Sequence, residues 1–87
     1  MIEIKLQGVL KTLNTKTDHW FEENGIIFYL CNGNISFRKL ISELSIPSDY
    51  IAFVLINGKR YIKDNYLFDS ILGDGDKLEI FPLIAAG

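Results

Sequence analysis

Cysteine, histidine and proline are all scarce in this sequence. Cys31 is the only cysteine, so no pair of thiols can staple the fold and nothing calls for an oxidising compartment. Basic residues are not in excess. Nine Lys and Arg face eleven Asp and Glu, for a formal net charge of -2, so there is no positive field to hold nucleic acid or an anionic membrane. A polar or weakly charged protein partner fits this balance better. No apolar run approaches the ~20 residues of a spanning helix. Met1-Ile2-Glu3-Ile4-Lys5 alternates charged and apolar residues and lacks the hydrophobic run of a signal peptide. The expectation is a soluble, cytoplasmic protein without repeats, low-complexity tracts or linkers. What the sequence does hold is a core. Of its 87 residues, 48% are hydrophobic, with Ile, Leu and Phe prominent. One small domain of this size buries only ~60% of its unfolded surface, so that core must be efficient.

Ile2, Ile4 and Leu6 alternate with Glu3, Lys5 and Gln7, the pattern of a half-buried strand. Residues 8–13 read as a turn or short helical piece, and Asn14 to Asn24 as a polar loop interrupted by Trp20-Phe21. Asn24-Gly25 marks a turn into a second strand, Ile26 to Cys31, which Asn32-Gly33-Asn34 breaks. Ser36 is a suitable N-cap, since its hydroxyl can accept a free amide of the first turn. Phe37, Leu40, Ile41 and Leu44 follow at helical spacing, and Pro47 stops continuation past Ile46. Ile51 to Ile56 is apolar throughout, as expected of a strand near the middle of a sheet. Asn57-Gly58 favours a tight turn with positive φ, returning as a short strand at Lys59–Ile62. Tyr66 to Leu72 reads as a short irregular or helical segment, and Gly73-Asp74-Gly75-Asp76 as a turn. Lys77 to Phe81 is the last strand, with Pro82 ending its pairing. The order predicts an α+β domain: a mixed sheet of four to five strands with one main helix, Ser36–Leu44, across one face.

This order, with a last strand running into a Gly-ended tail, resembles the ubiquitin-like β-grasp. Within it, the chain is most similar to the sulfur-carrier family of MoaD and ThiS: the molybdopterin-synthase small subunit and the thiamine-pathway carrier. Ser36-Phe37-Arg38-Lys39-Leu40-Ile41 resembles the start of the family helix. Val54-Leu55-Ile56-Asn57-Gly58 resembles the family strand that ends in Asn-Gly. Gly75-Asp76-Lys77-Leu78-Glu79-Ile80-Phe81-Pro82 resembles the family ending, followed by two apolar residues and a small-residue tail. The matches span most of the chain from Ser36 onward. The family ends in Gly-Gly, whereas this sequence ends in Ala86-Gly87.

The resemblance implies a domain over residues 1–82 and a flexible tail over 83–87. An ATP-using adenylating partner would convert the Gly87 carboxylate to an acyl adenylate. A sulfur donor would then displace AMP and leave a thiocarboxylate for transfer inside a partner enzyme, such as the large subunit of a molybdopterin-synthase-like complex. The carrier would bind no cofactor and no metal of its own; the ATP belongs to the partner. The residue types suit the task. Gly87 has no Cβ, so partner walls can close on its carbonyl, and Ala85 and Ala86 are nearly as slim. Phe81, Leu83 and Ile84 are apolar and can anchor the arm. Without the resemblance, the same residues read as an extension of the core followed by a frayed end. A lysine-linked protein modifier, and an interaction module that has lost the tail chemistry, are the alternatives.

Other signals are weaker. His19 stands near Asp18, Glu22 and Glu23, but a lone histidine among carboxylates in a polar loop reads as solvated surface. Cys31 reads as a buried strand residue. Asp74 and Asp76 lack the later glutamate of a Ca²⁺ loop, and Gly73-Asp74-Gly75 precedes a strand rather than the helix a phosphate loop requires. Phe28, Tyr29, Phe53, Tyr61, Phe68 and Phe81 are core candidates, unless one sheet face is left open for a partner.

Overall fold

The computed structural model describes residues 1–7 and 20–83. It shows a mixed six-stranded sheet, a separate two-stranded ribbon and one main helix, an α+β arrangement. The strands are β1 (Ile2–Leu6), β2 (Trp20–Glu23), β3 (Ile26–Tyr29), β4 (Ile35–Ser36), β5 (Ile51–Ile56), β6 (Lys59–Ile62), β7 (Ile71–Leu72) and β8 (Lys77–Pro82). The helices are α1 (Phe37–Glu43) and the single turn α2 (Asn65–Phe68). The sheet order is β2-β3-β1-β8-β5-β6. Only β1 and β8 run parallel, with Glu3 opposite Lys77 and Leu6 opposite Ile80; every other neighbour is antiparallel.

The sheet exceeds the expected four to five strands because Trp20–Glu23, read as loop, pairs with β3 across Asn24-Gly25. The polar residues Glu22 and Glu23 hid the strand, since an edge strand needs little apolar character beyond Trp20, which is buried. Asn24 and Gly25 both adopt positive φ, as do Asn57 and Gly58 in the β5–β6 hairpin. These are the conformations that two-residue hairpin loops require and that Asn and Gly tolerate. Residues 8–19, including the turn or helical piece and His19, lie outside the described residues.

Alternation sorts the strands onto two faces. Ile2, Ile4, Leu6, Ile27, Tyr29, Val54, Leu78 and Ile80 point inward and join Phe37, Leu40, Ile41 and Leu44 of α1 in one buried cluster. The predicted helix face is therefore the observed one. Its N-terminus is closed by Ser36 Oγ, which accepts the Lys39 amide at 3.1 Å, and by the Ser70 carbonyl, which accepts the Phe37 amide at 2.8 Å.

The helix ends earlier than Pro47 would require. Ser45 takes φ +59°, its amide donates to Ser42 O at 3.1 Å, and the Ile46 amide donates to Ile41 O at 2.9 Å. This double closure is a Schellman motif, sealed by the buried side chains of Ile41 and Ile46. Pro82 likewise does not end pairing. It sits opposite Ile51 across a bulge at Ala52, and the Leu83 amide donates to Tyr50 O at 2.9 Å. A bulge is one of the few sheet positions where a residue without N–H is tolerated.

Ser45 is exposed and has the left-handed backbone that costs a non-glycine residue about 1–2 kcal/mol. Glycine removes that cost but gives back part of it as chain entropy. Ser45→Gly is therefore expected to raise stability by about 0.5–1 kcal/mol, read as a higher urea midpoint at unchanged slope.

Candidate functional site

β8 runs through the middle of the sheet between β1 and β5. β8 reaches its C-terminal end at the corner formed with the start of β5. Phe81 is half-buried on the face opposite α1 and stacks on Phe53, with ring centroids 4.4 Å apart. The Arg60 guanidinium lies 4.7 Å from the Phe53 ring centroid. Leu83 is 54% exposed, and Tyr50, whose carbonyl holds the Leu83 amide, is 49% exposed. An apolar corner therefore stands where the chain leaves the sheet. Ile84, Ala85, Ala86 and Gly87, the rest of the expected site, lie outside the described residues.

The two faces of the sheet divide the aromatic candidates. Tyr29 is buried in the core, and Tyr61 and Phe68 pack against it. Phe28, Phe53 and Phe81 lie on the other side: Phe28 stacks on Phe21 at 5.2 Å near one edge, and Phe53–Phe81 forms the second cluster. Between them runs a charged band in which Lys77 lies 3.7 Å from Glu3 and Gln7 donates to Glu79. A shallow groove along this band is lined by Glu3, Lys5, Ile26, Leu55, Lys77 and Glu79. Opposite charges alternate there without a nucleophile beside a base, so the groove carries no catalytic constellation.

The Gly73–Asp76 turn proves to be a structural knot. Asp76 Oδ1 accepts Asn57 Nδ2 at 3.0 Å, and Asp76 Oδ2 accepts the Gly73 amide at 2.8 Å. Asn57 Oδ1 accepts the Lys77 amide at 2.9 Å, and the Asn57 amide donates to the Lys77 carbonyl at 2.7 Å. The Glu3 amide donates to the Asp76 carbonyl at 3.0 Å. The Asn-Gly and Gly-Asp motifs, nearly twenty residues apart in the chain, are thus two halves of one clamp that fixes where β8 begins. No sequence signal announces that contact, because each motif is already explained by its own turn.

Cys31 lies beyond the end of β3 rather than in a strand. It is half-buried, with Sγ 2.8 Å from the Gly33 carbonyl. Burial raises the Tyr29 phenol above its ordinary range, with smaller upward contributions from the Glu43 carboxylate and Cys31. Among the described residues, no group of three or more His, Cys, Asp and Glu is placed to hold a metal ion. No helix there is long and apolar enough to cross a membrane.

Comparison of the chain with known protein families, with curated proteins and with solved structures finds no match.

Two predictions follow from the clamp and from Tyr29. Asn57→Ala and Asp76→Ala should each destabilise the fold by about 1–2 kcal/mol, and the double variant should lose less than the sum. Additive losses in a urea double-mutant cycle would show that the two side chains do not act together. For Tyr29, the folded state holds a proton that the unfolded chain releases near its ordinary pKa of about 10. The resulting stabilisation is complete below that pH and falls as pH rises toward the raised folded value. Tyr29→Phe should therefore show a flatter loss of stability above about pH 10 than the parent, measured as urea midpoints across that range.

Proposed function

We propose that this chain is a sulfur-carrier protein similar to the molybdopterin-synthase small subunit, built as a β-grasp and acting through Gly87. The observation that carries the reading is the placement of β8. Leaving aside the extra edge strand β2, the order β3-β1-β8-β5-β6, with β1 and β8 parallel at the centre and α1 across one face, supports a ubiquitin-like arrangement. In such an arrangement the last strand delivers the tail from the sheet rather than from a side loop. The Asn57–Asp76 clamp adds support, because it joins two of the motifs that carry the resemblance.

The chemistry asks little of the domain beyond presentation. The Gly87 carboxylate attacks the α-phosphorus of ATP in the adenylating partner and pyrophosphate leaves. A sulfur donor attacks the resulting carbonyl and AMP leaves. Each step needs the carbonyl to enter a closed partner site, which a slim arm permits and which positioning makes fast. Phe81 and Leu83, with Ile84, would anchor the arm against the partner, while Ala85 and Ala86 pass through its channel. The partners are then the adenylating enzyme and a larger subunit that consumes the sulfur in cofactor biosynthesis, in the cytoplasm.

Ala86 supports a second reading, an interaction module without tail chemistry, because its methyl group disfavours the positive φ that glycine allows in a narrow channel. A modifier joined to lysines through Gly87 is the third. Intact mass after incubation with ATP, a sulfide source and the cognate adenylating enzyme separates them. Exchange of one oxygen for one sulfur at Gly87 is expected, with ATP–pyrophosphate exchange above that of a Gly87 deletion. Higher-mass adducts on other proteins would favour the modifier. Exchange restored only by Ala86→Gly would assign the native tail to the interaction module.

A further inference from the structure

β6 is an edge strand, and its outer side is unusual in chemistry. In the β5–β6 hairpin, Ile56 pairs with Lys59 and Val54 with Tyr61, flanking the two-residue turn. Antiparallel alternation then directs the N–H and C=O groups of Lys59 and Tyr61 toward β5, and those of Arg60 and Ile62 away from it. Among the described residues, no strand pairs with β6 on that outer side. The strand and the residue after it hold three of the chain's nine Lys and Arg: Lys59, Arg60 and Lys63. Among the described residues none of the three forms an ion pair. Lys59 and Arg60 rest over the rings of Tyr61 and Phe53, and Lys63 Nζ reaches the Ser48 carbonyl at 3.4 Å. Asp64, the nearest carboxylate in the chain, is engaged in capping α2 through the Leu67 amide. Ile62 is 62% exposed beside these cations.

We propose that the outer edge of β6 docks an acidic, extended segment of a protein partner, which adds to the sheet as a further strand.

Two forces act together. The outward backbone groups of Arg60 and Ile62 supply the hydrogen bonds of strand addition, and the side chains select the sequence. Alternation places Arg60 and Ile62 on the open face and Lys59 and Tyr61 on the helix side. An antiparallel partner is therefore expected to read acidic–apolar–apolar–acidic–acidic, opposite Lys63, Ile62, Tyr61, Arg60 and Lys59 in turn. Charges on an edge commonly prevent unwanted pairing. Here they do so selectively. A second copy meeting β6 with its own β6 would bring cation against cation, whereas an acidic strand is attracted. The proposal does not depend on the sulfur-carrier reading.

The test uses the full chain, isotopically labelled for NMR, and a capped peptide Thr-Glu-Val-Val-Glu-Glu-Thr at low salt. Binding in the millimolar range or tighter is expected, with slowed hydrogen exchange at the Arg60 and Ile62 amides and loss of affinity as salt rises. The matching peptide with lysine in place of glutamate should not bind. The double variant Lys59→Glu/Arg60→Glu should weaken binding by about tenfold or more. Ile62→Pro removes an outward N–H without touching the bonds to β5 and should also abolish protection, with the rest of the spectrum unchanged. Absence of millimolar binding, or binding that leaves the Arg60 and Ile62 amides unprotected or ignores both variants, overturns the proposal. Protection without peptide that grows with protein concentration identifies a second copy as the occupant and overturns it equally.

Discussion

The parallel pairing of β1 with β8 is the contact on which the rest of the sheet depends. It joins residues 2–6 to residues 77–82, so nearly the whole chain must be closed into a loop before it forms. That closure has a large entropic cost, and no local turn helps to meet it. The structure recovers the cost by burying Ile2, Ile4, Leu78 and Ile80 side by side beneath α1. It also gains the Asn57–Asp76 clamp, which holds the start of β8 against both the β5–β6 turn and the Glu3 amide. With β8 in place, β1 offers its other side to β3, and β5 brings β6.

The two faces of this sheet have different tasks. The inner face is filled by aliphatic side chains and α1, and it supplies the cohesion of a domain too small for a second core. The outer face is divided between paired charges at its centre and stacked aromatics at two corners. The Phe53–Phe81 corner lies at the C-terminal end of β8, next to the exposed Leu83.

The Asn-Gly and Gly-Asp motifs and the apolar residues Phe81 and Leu83 are legible in the sequence, because composition and local turn chemistry report them directly. Ile84 to Gly87 enter only through the family resemblance and lie outside the described residues. Trp20–Glu23 was not visible as a strand, since its pairing with β3 is specified by the partner and the Asn24-Gly25 turn more than by its own alternation. Cys31 was placed in a strand by the β-rich run before it, yet pairing stops at Tyr29 and the thiol turns to the Gly33 carbonyl. Which aromatics face outward required the register, because a shift of one residue exchanges the two faces.

The helix and its buried face, the turns at Asn24-Gly25 and Asn57-Gly58 and the last alternating strand were determined by the sequence alone, because each is a near-neighbour effect of spacing, capping or backbone preference. The union of β1 with β8, the clamp between Asn57 and Asp76, the bulge that accommodates Pro82 and the place of β6 at the end of the described strand order were decided only in three dimensions. Each joins residues distant in the chain or depends on which strand stands next to which. Such choices are made by loop-closure entropy and by the burial of apolar area over the whole fold, and neither is carried by any short stretch of residues.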